Sequence, residues 1–305
     1  MLCRENILPT IRPALSSPFI FCITALSLIP GLILIAFFYD TTALIGGIAG
    51  IASAIVALFL MRLILSKDRS LVLPVGFASG IIFSASIPVE LSVYIPSVCI
   101  TAAILLTQLL HLIRVRIRFS ISAIAIAIYL AIMLIKGGAV VSAPYHLPFF
   151  IPEPSLTGKK GLLDLISALS MNGIFPAQGI IPMLLAIPVM VISGIVRKRH
   201  LIMSVIGGAM IFAIMTFAIH QKLEWTTLVY AAFCLLFASI YLMGDPLSSA
   251  RSNIGKIILF FLFGAIWMTL YYFTFNPLVA SLSSIGTSLL TPAVNLLTRP
   301  KPFGV

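Results

Sequence analysis

Few residues of this chain are equipped to do chemistry, and where they stand narrows what that chemistry is. The carboxylates among its 305 residues are Glu5, Asp40, Asp68, Glu90, Glu153, Asp164, Glu224 and Asp245, and no two are spaced to work as acid and base on one helix face. No nucleophile has a plausible base and there is no Walker loop, so hydrolytic chemistry is disfavoured and no catalytic residue is assigned. Asp245 differs in setting. Gly244 before it and Pro246 after it break the helix at the inner mouth of its span, leaving carbonyls and amides unpaired beside a carboxylate. That grouping suits a cation or the polar part of a cofactor. It equally suits a cap for the segment Asp245-Pro246-Leu247-Ser248-Ser249.

Cys3, Cys22, Cys99 and Cys234 fall in different segments without a C-x-x-C spacing, three of them inside apolar runs. They read as buried small hydrophobes, and no metal site is expected. His111, His146, His200 and His220 fall at predicted span ends, where a polar ring reaches water. A haem held by two of them needs a facing pair at one depth, and only His146 and His220 share a side. Gln108, the one long polar side chain within a run, is expected to make a helix–helix hydrogen bond.

The elements that must position these residues are set by composition. With 61% apolar and 9% charged residues, the chain is too hydrophobic for a water-soluble core, whose typical figures are ~45–50% and ~25%. The solvent is lipid, and the fold class is an all-α integral membrane protein of about ten transmembrane helices. Apolar runs between charges and Pro/Gly breaks place spans near 17–38, 43–64, 71–87, 91–112, 119–135, 174–196, 201–219, 225–243, 254–275 and 278–297. The net charge of +11 is scattered singly between these runs with no aromatic-interleaved basic face, so no nucleic-acid partner is expected.

The basic residues report orientation instead. Arg4 and Arg12, then Arg62, Lys67 and Arg69, then Arg114, Arg116 and Arg118 fall on one side. So do Arg197, Lys198 and Arg199, then Arg251 and Lys256, then Arg299 and Lys301. That is fifteen of nineteen; only Lys136, Lys159, Lys160 and Lys222 fall on the other. The positive-inside rule therefore predicts a multi-pass protein of the inner (plasma) membrane with both termini cytoplasmic. The carboxylates all sit at or beyond span ends on this threading, which disfavours a relay of mid-membrane acids.

The connection 137–173 is long, faces outward and carries Pro144, Pro148, Pro152 and Pro154. It divides the chain into a first five-helix half, 1–136, and a second, 174–305. Five spans per half turn the second upside down relative to the first, so two inverted five-helix repeats are expected, with a shared site near the midplane where short or Gly/Pro-interrupted helices meet. The third span, with Pro74, Gly76, Gly80 and Pro88, and the eighth, ending at Gly244-Asp245-Pro246, are those helices. Phe77-Ala78-Ser79 and Phe237-Ala238-Ser239 recur at corresponding places in them.

Met243-Gly244-Asp245-Pro246-Leu247-Ser248-Ser249 followed by Asn253-Ile254-Gly255-Lys256 resembles the M-A-T-D-P-x-(S/T)-x segment of one membrane family. That family comprises the D subunit of Rnf-type ion-translocating electron-transport complexes and the B subunit of sodium-pumping NADH:quinone reductase. The closing stretch Thr291-Pro292-Ala293-Val294-Asn295-Leu296-Leu297-Thr298-Arg299-Pro300 is similar to the family's last helix, which ends in (N/D)-x-x-T-R-P. Ser17-Pro18-Phe19 and Leu28-Ile29-Pro30-Gly31 match the first span of the D subunit. These anchors run from the first span to the last.

The resemblance implies a membrane subunit that passes electrons through a flavin and works with the other subunits of a Rnf- or Nqr-like complex to move sodium or protons. It implies FMN linked through its phosphate to a threonine in an S-G-A-T-like motif on the loop before the sixth span. The sequence departs there, offering Pro154-Ser155-Leu156-Thr157-Gly158-Lys159-Lys160. Thr157 is the nearest candidate acceptor, with an ordinary turn or exposed loop threonine as the alternative. The family's F-N-P-A phrase is replaced by Phe119-Ser120-Ile121-Ser122-Ala123. A second, non-covalent flavin near the midplane stays open. Two other functions compete: a solute channel or facilitator on the same inverted plan, and a flavin-free scaffold subunit of such a complex.

Overall fold

The computed structural model describes residues 17–38, 41–64, 72–86, 94–113, 117, 119–135, 198–219, 225–244, 250, 252–274 and 277–298. Among them every regular element is helical. In chain order they are α1 (Ser17–Phe38), α2 (Thr41–Ile64), α3 (Val72–Ser86), α4 (Tyr94–Leu112), α5 (Ile121–Ile135), α6 (Lys198–Ile219), α7 (Trp225–Tyr241), α8 (Asn253–Thr274) and α9 (Ala280–Leu297), with a short 3₁₀ turn Pro277–Val279 before α9. Nine of the ten expected spans coincide with these helices to within about three residues. The expected span 174–196 lies outside the described residues.

Among the described residues, three stretches are long and apolar enough to cross a membrane: Ile45–Ile64, Lys198–Ala218 and Asn253–Thr274. Shorter apolar stretches run through Phe19–Pro30, Val72–Ser84, Tyr94–Leu110 and Ile121–Ile132. Large apolar side chains point outward, among them Ile48, Val56, Ile202 and Phe217, the last 82% exposed. In water such a surface would associate; in hydrocarbon it costs nothing. These features are those of a membrane-embedded helical protein.

Helices in lipid gain no hydrophobic drive from meeting each other, so close approach of small residues and hydrogen bonds must hold them. The glycines show where this happens. Gly76 and Gly80 of α3 lie against Ile55 and Ile51 of α2, where an added Cβ would come within 3.0 and 2.7 Å of their Cα atoms. The descending and ascending numbers make α2 and α3 antiparallel. α6 and α8 form the most extensive helix pair. They cross backbone to backbone: a Cβ on Gly264 would overlap the Ser204 carbonyl, and one on Gly207 would overlap that of Phe261.

The interior is made by α3, α5, α7 and α8. Phe83, Ile126, Tyr129, Phe237, Phe263 and Trp267 are all buried there. α5 packs on α3 and α4 and also on α9, which is remote from it in sequence.

Candidate functional site

Helix α7 ends inside the bundle rather than at its edge. Its last residue is Tyr241, after which the amides of Leu242 and Met243 both donate to the Ala238 carbonyl, at 2.9 and 3.1 Å. With two donors on one acceptor, the regular i to i−4 pairing of the helix stops here. Gly244 closes the described part of this segment, and Asp245 lies outside the described residues.

The depth of this break follows from its partners. The Ser284 hydroxyl donates to the Leu242 carbonyl at 3.4 Å, and the Thr287 hydroxyl oxygen lies 3.5 Å from the Met243 sulfur. Thr298, where α9 stops, bonds Ser252 just before α8 begins. Ser284 is therefore about 21 Å up the helix axis from the common end of α8 and α9, at 1.5 Å per residue. A second route agrees. Ser239 bonds Ser204, which packs on Gly264, about 18 Å along α8 from the same end. α8 is about 33 Å long, so α7 stops near its middle. Asp245, expected at the inner mouth of its span, lies outside the described residues; Leu242, Met243 and Gly244 stand beside the middle of α8. Sequence reasoning missed this because apolar residues continue to Met243, whatever the depth at which the helix ends.

Facing the break is the polar side of α9. Ser281, Ser283, Ser284, Thr287 and Ser288 are all buried. Hydroxyls are tolerated here because they bond back to their own helix: Ser281 to the Leu278 carbonyl, Ser283 to Val279, Thr287 to Ser283 and Ser284, Ser288 to Ser284, at 2.8–3.0 Å. A hydroxyl that spends its only proton this way still has oxygen lone pairs to offer. Pro292 adds to the same character, since it has no N–H for the Ser288 carbonyl. The break and α9 together form a buried surface rich in oxygen acceptors. Such a surface suits a hard cation stripped of part of its water, or the donor groups of a polar molecule.

Two further contacts involve α7 and α8. On the α1 side, the Ser27 and Tyr241 hydroxyls are 2.9 Å apart and both residues are buried. On the α8 side, Trp267 is fully buried and stacks on Tyr271 with ring centroids 4.8 Å apart. Its indole nitrogen has no hydrogen-bond partner among the described residues.

The other sequence candidates separate. Thr157 lies outside the described residues. Cys99 and Cys234 are buried, Cys22 is partly buried, and they sit on three different helices. His200 is buried at the start of α6 and stacks on Phe260 at 5.2 Å. That is packing against α8 rather than a ring end in water. Gln108 is half-buried and makes no helix–helix hydrogen bond among the described residues. Ser120 and Ser122, in the segment that stands where the F-N-P-A phrase was expected, are buried and bond each other at 2.9 Å. No group of His, Cys, Asp and Glu among the described residues is arranged to hold a metal ion.

The chain matches no protein-family model and no curated protein.

Proposed function

We propose that this chain is a multi-pass membrane subunit of an ion-translocating electron-transport complex, of the Rnf D-subunit and sodium-pumping reductase B-subunit type, with both termini cytoplasmic. The observation that supports the ion-handling part is the end of α7 beside the middle of α8, against the hydroxyl face of α9. An interrupted helix there, offering carbonyls and hydroxyls, is the arrangement by which membrane transporters take up small cations. The electron-carrying part rests on the resemblance, in which a flavin supplies one- and two-electron chemistry and the protein sets its position and potential. Thr157 is the proposed FMN acceptor.

Two inverted five-helix repeats belong to the same proposal, and one pattern supports them. Ile45-Gly46-Gly47 in α2 and Ile206-Gly207-Gly208 in α6 are the same tripeptide in the second helix of each half. In the first, Gly46 faces Pro96 of α4 and Gly47 faces Ser84 of α3. In the second, Gly207 faces Phe261 of α8 and Gly208 faces Leu235 of α7. In both halves, then, the first glycine meets the fourth helix and the second meets the third.

The covalent flavin is tested by running the denatured chain from its native host on a gel. Yellow fluorescence that stays with the band and disappears in Thr157→Ala supports it. A colourless wild-type band contradicts it. The competing reading, a solute facilitator, is favoured instead if cofactor-free purified protein alone conducts a small neutral solute in vesicles.

A further inference from the structure

Two residues in the last turn of α7 are held by opposite halves of the molecule. Ser239 donates to Ser204 of α6 at 2.9 Å, within the second half. Tyr241, two residues on, bonds Ser27 of α1 at 2.9 Å, in the first half. Either hydroxyl can be the donor, and the Ser27 hydroxyl also lies 2.8 Å from the Thr24 carbonyl. The result is a chain of contacts from the end of α7 to the backbone of α1.

The strengths of the contacts are unequal. The bonds to α6 and α1 are at ordinary lengths, whereas those tying Leu242 and Met243 to α9 are 3.4 and 3.5 Å, the last to sulfur. Just past the second anchor the backbone is frayed, with the amides of Leu242 and Met243 both on the Ala238 carbonyl. A displacement of α1 relative to α6 would therefore pull on Tyr241 and pass directly to Leu242 and Met243, at the break itself.

We propose that the Tyr241–Ser27 bond is a latch that couples the relative position of the two halves to the α7 break, holding the break shut when made and opening it when lost. The proposal rests on the two-half reading above and adds the device that moves the site. Tyr241 is a positioning residue: it acts through the placement of Leu242 and Met243.

The test is thiol labelling of full-length protein in native membranes. Cys3, Cys22 and Cys99 are replaced, Cys234 is kept, and Met243→Cys is introduced. Cys234 sits higher on α7 and is 3% exposed, so it reports general loosening. With the latch intact, a permeant maleimide reacts slowly at both positions. Tyr241→Phe and Ser27→Ala are each expected to raise labelling at position 243 about tenfold, the shift that losing one net hydrogen bond gives to a local opening. Cys234 should be unaffected. The double variant should add nothing, and Ser27→Thr, which keeps a hydroxyl, should stay slow. Unchanged labelling in both single variants, or an equal rise at Cys234, overturns the latch. Should Tyr241→Phe fail to accumulate, Ser27→Ala alone decides, since it removes one oxygen. The readout involves neither flavin nor ion, so its failure is distinct from failure of the electron-transport reading.

Discussion

The hydroxyls of Ser252 and Thr298 lie 2.6 Å apart, joining the residue before α8 to the residue after α9. Ser252 also accepts the Gly255 amide at 2.9 Å, so it caps α8 while Thr298 closes on it. The two come from the two most distinctive phrases of the sequence, Asp245 to Gly255 and Asn295 to Pro300. An added Cβ on Gly255 would stand 3.0 Å from the Thr298 hydroxyl, which accounts for a glycine at that place. Ser252→Ala is expected to cost about 1 kcal/mol, as loss of a helix cap does. Thr298→Val should cost less, and the double variant less than the sum, because the two hydroxyls share one bond. Thermal unfolding in detergent, run as a double-mutant cycle, checks this.

Gly264→Ala is expected to be among the most damaging single-methyl changes in the chain. The new carbon would overlap the Ser204 carbonyl at the α6–α8 crossing, and a backbone atom has little room to yield. Overpacking usually costs roughly 1–3 kcal/mol, and this site belongs at or beyond the upper end. Gly286→Ala in α9, with nothing within 4 Å, should be neutral. The amount of folded protein in membranes and its melting temperature distinguish the two.

Thr287→Val keeps the shape of the side chain and removes its oxygen from the acceptor surface. If the break against α9 handles the coupling ion, this change and Ser284→Ala should each weaken the apparent affinity for that ion about tenfold in an electron-transfer assay on membranes. Protein level and flavin content should stay unchanged. An ion dependence identical to wild type in both variants removes the site from the pathway.

The threading is checked by single cysteines placed at position 67, between α2 and α3, and at position 160. An impermeant reagent added to sealed cells should reach position 160 and not position 67. The reverse pattern contradicts the charge-based orientation.

Helix positions were legible because the apolar runs are bounded by charges that hydrocarbon does not tolerate: Arg62, for example, stands in the last turn of α2. Depth was not legible. Nothing in Phe237-Ala238-Ser239 or Leu242-Met243 says how far along its neighbours α7 stops; that depends on a crossing at Gly264 and on bonds to Ser284 and Ser27, all remote in sequence. The hydroxyl face of α9 was available as a signal, since Ser281, Ser284, Thr287, Ser288 and Thr291 recur at three- and four-residue spacing on one side. It is easily passed over, because Ser and Thr interrupt hydropathy only slightly. The repeated Ile-Gly-Gly was equally visible, but its meaning lies in which helix each glycine touches. Asp245 and Thr157 fall outside the described residues, so their part in the account is carried by sequence alone.

The most direct measurement of the central claim is flavin stoichiometry and reduction in the complex isolated from native membranes with this chain as the affinity handle. The account predicts co-purification of other membrane and redox subunits, at least one flavin per chain, and bleaching of that flavin on adding the electron donor, at a rate that responds to sodium or to a proton gradient. A chain that purifies alone, colourless and indifferent to reductant would contradict it.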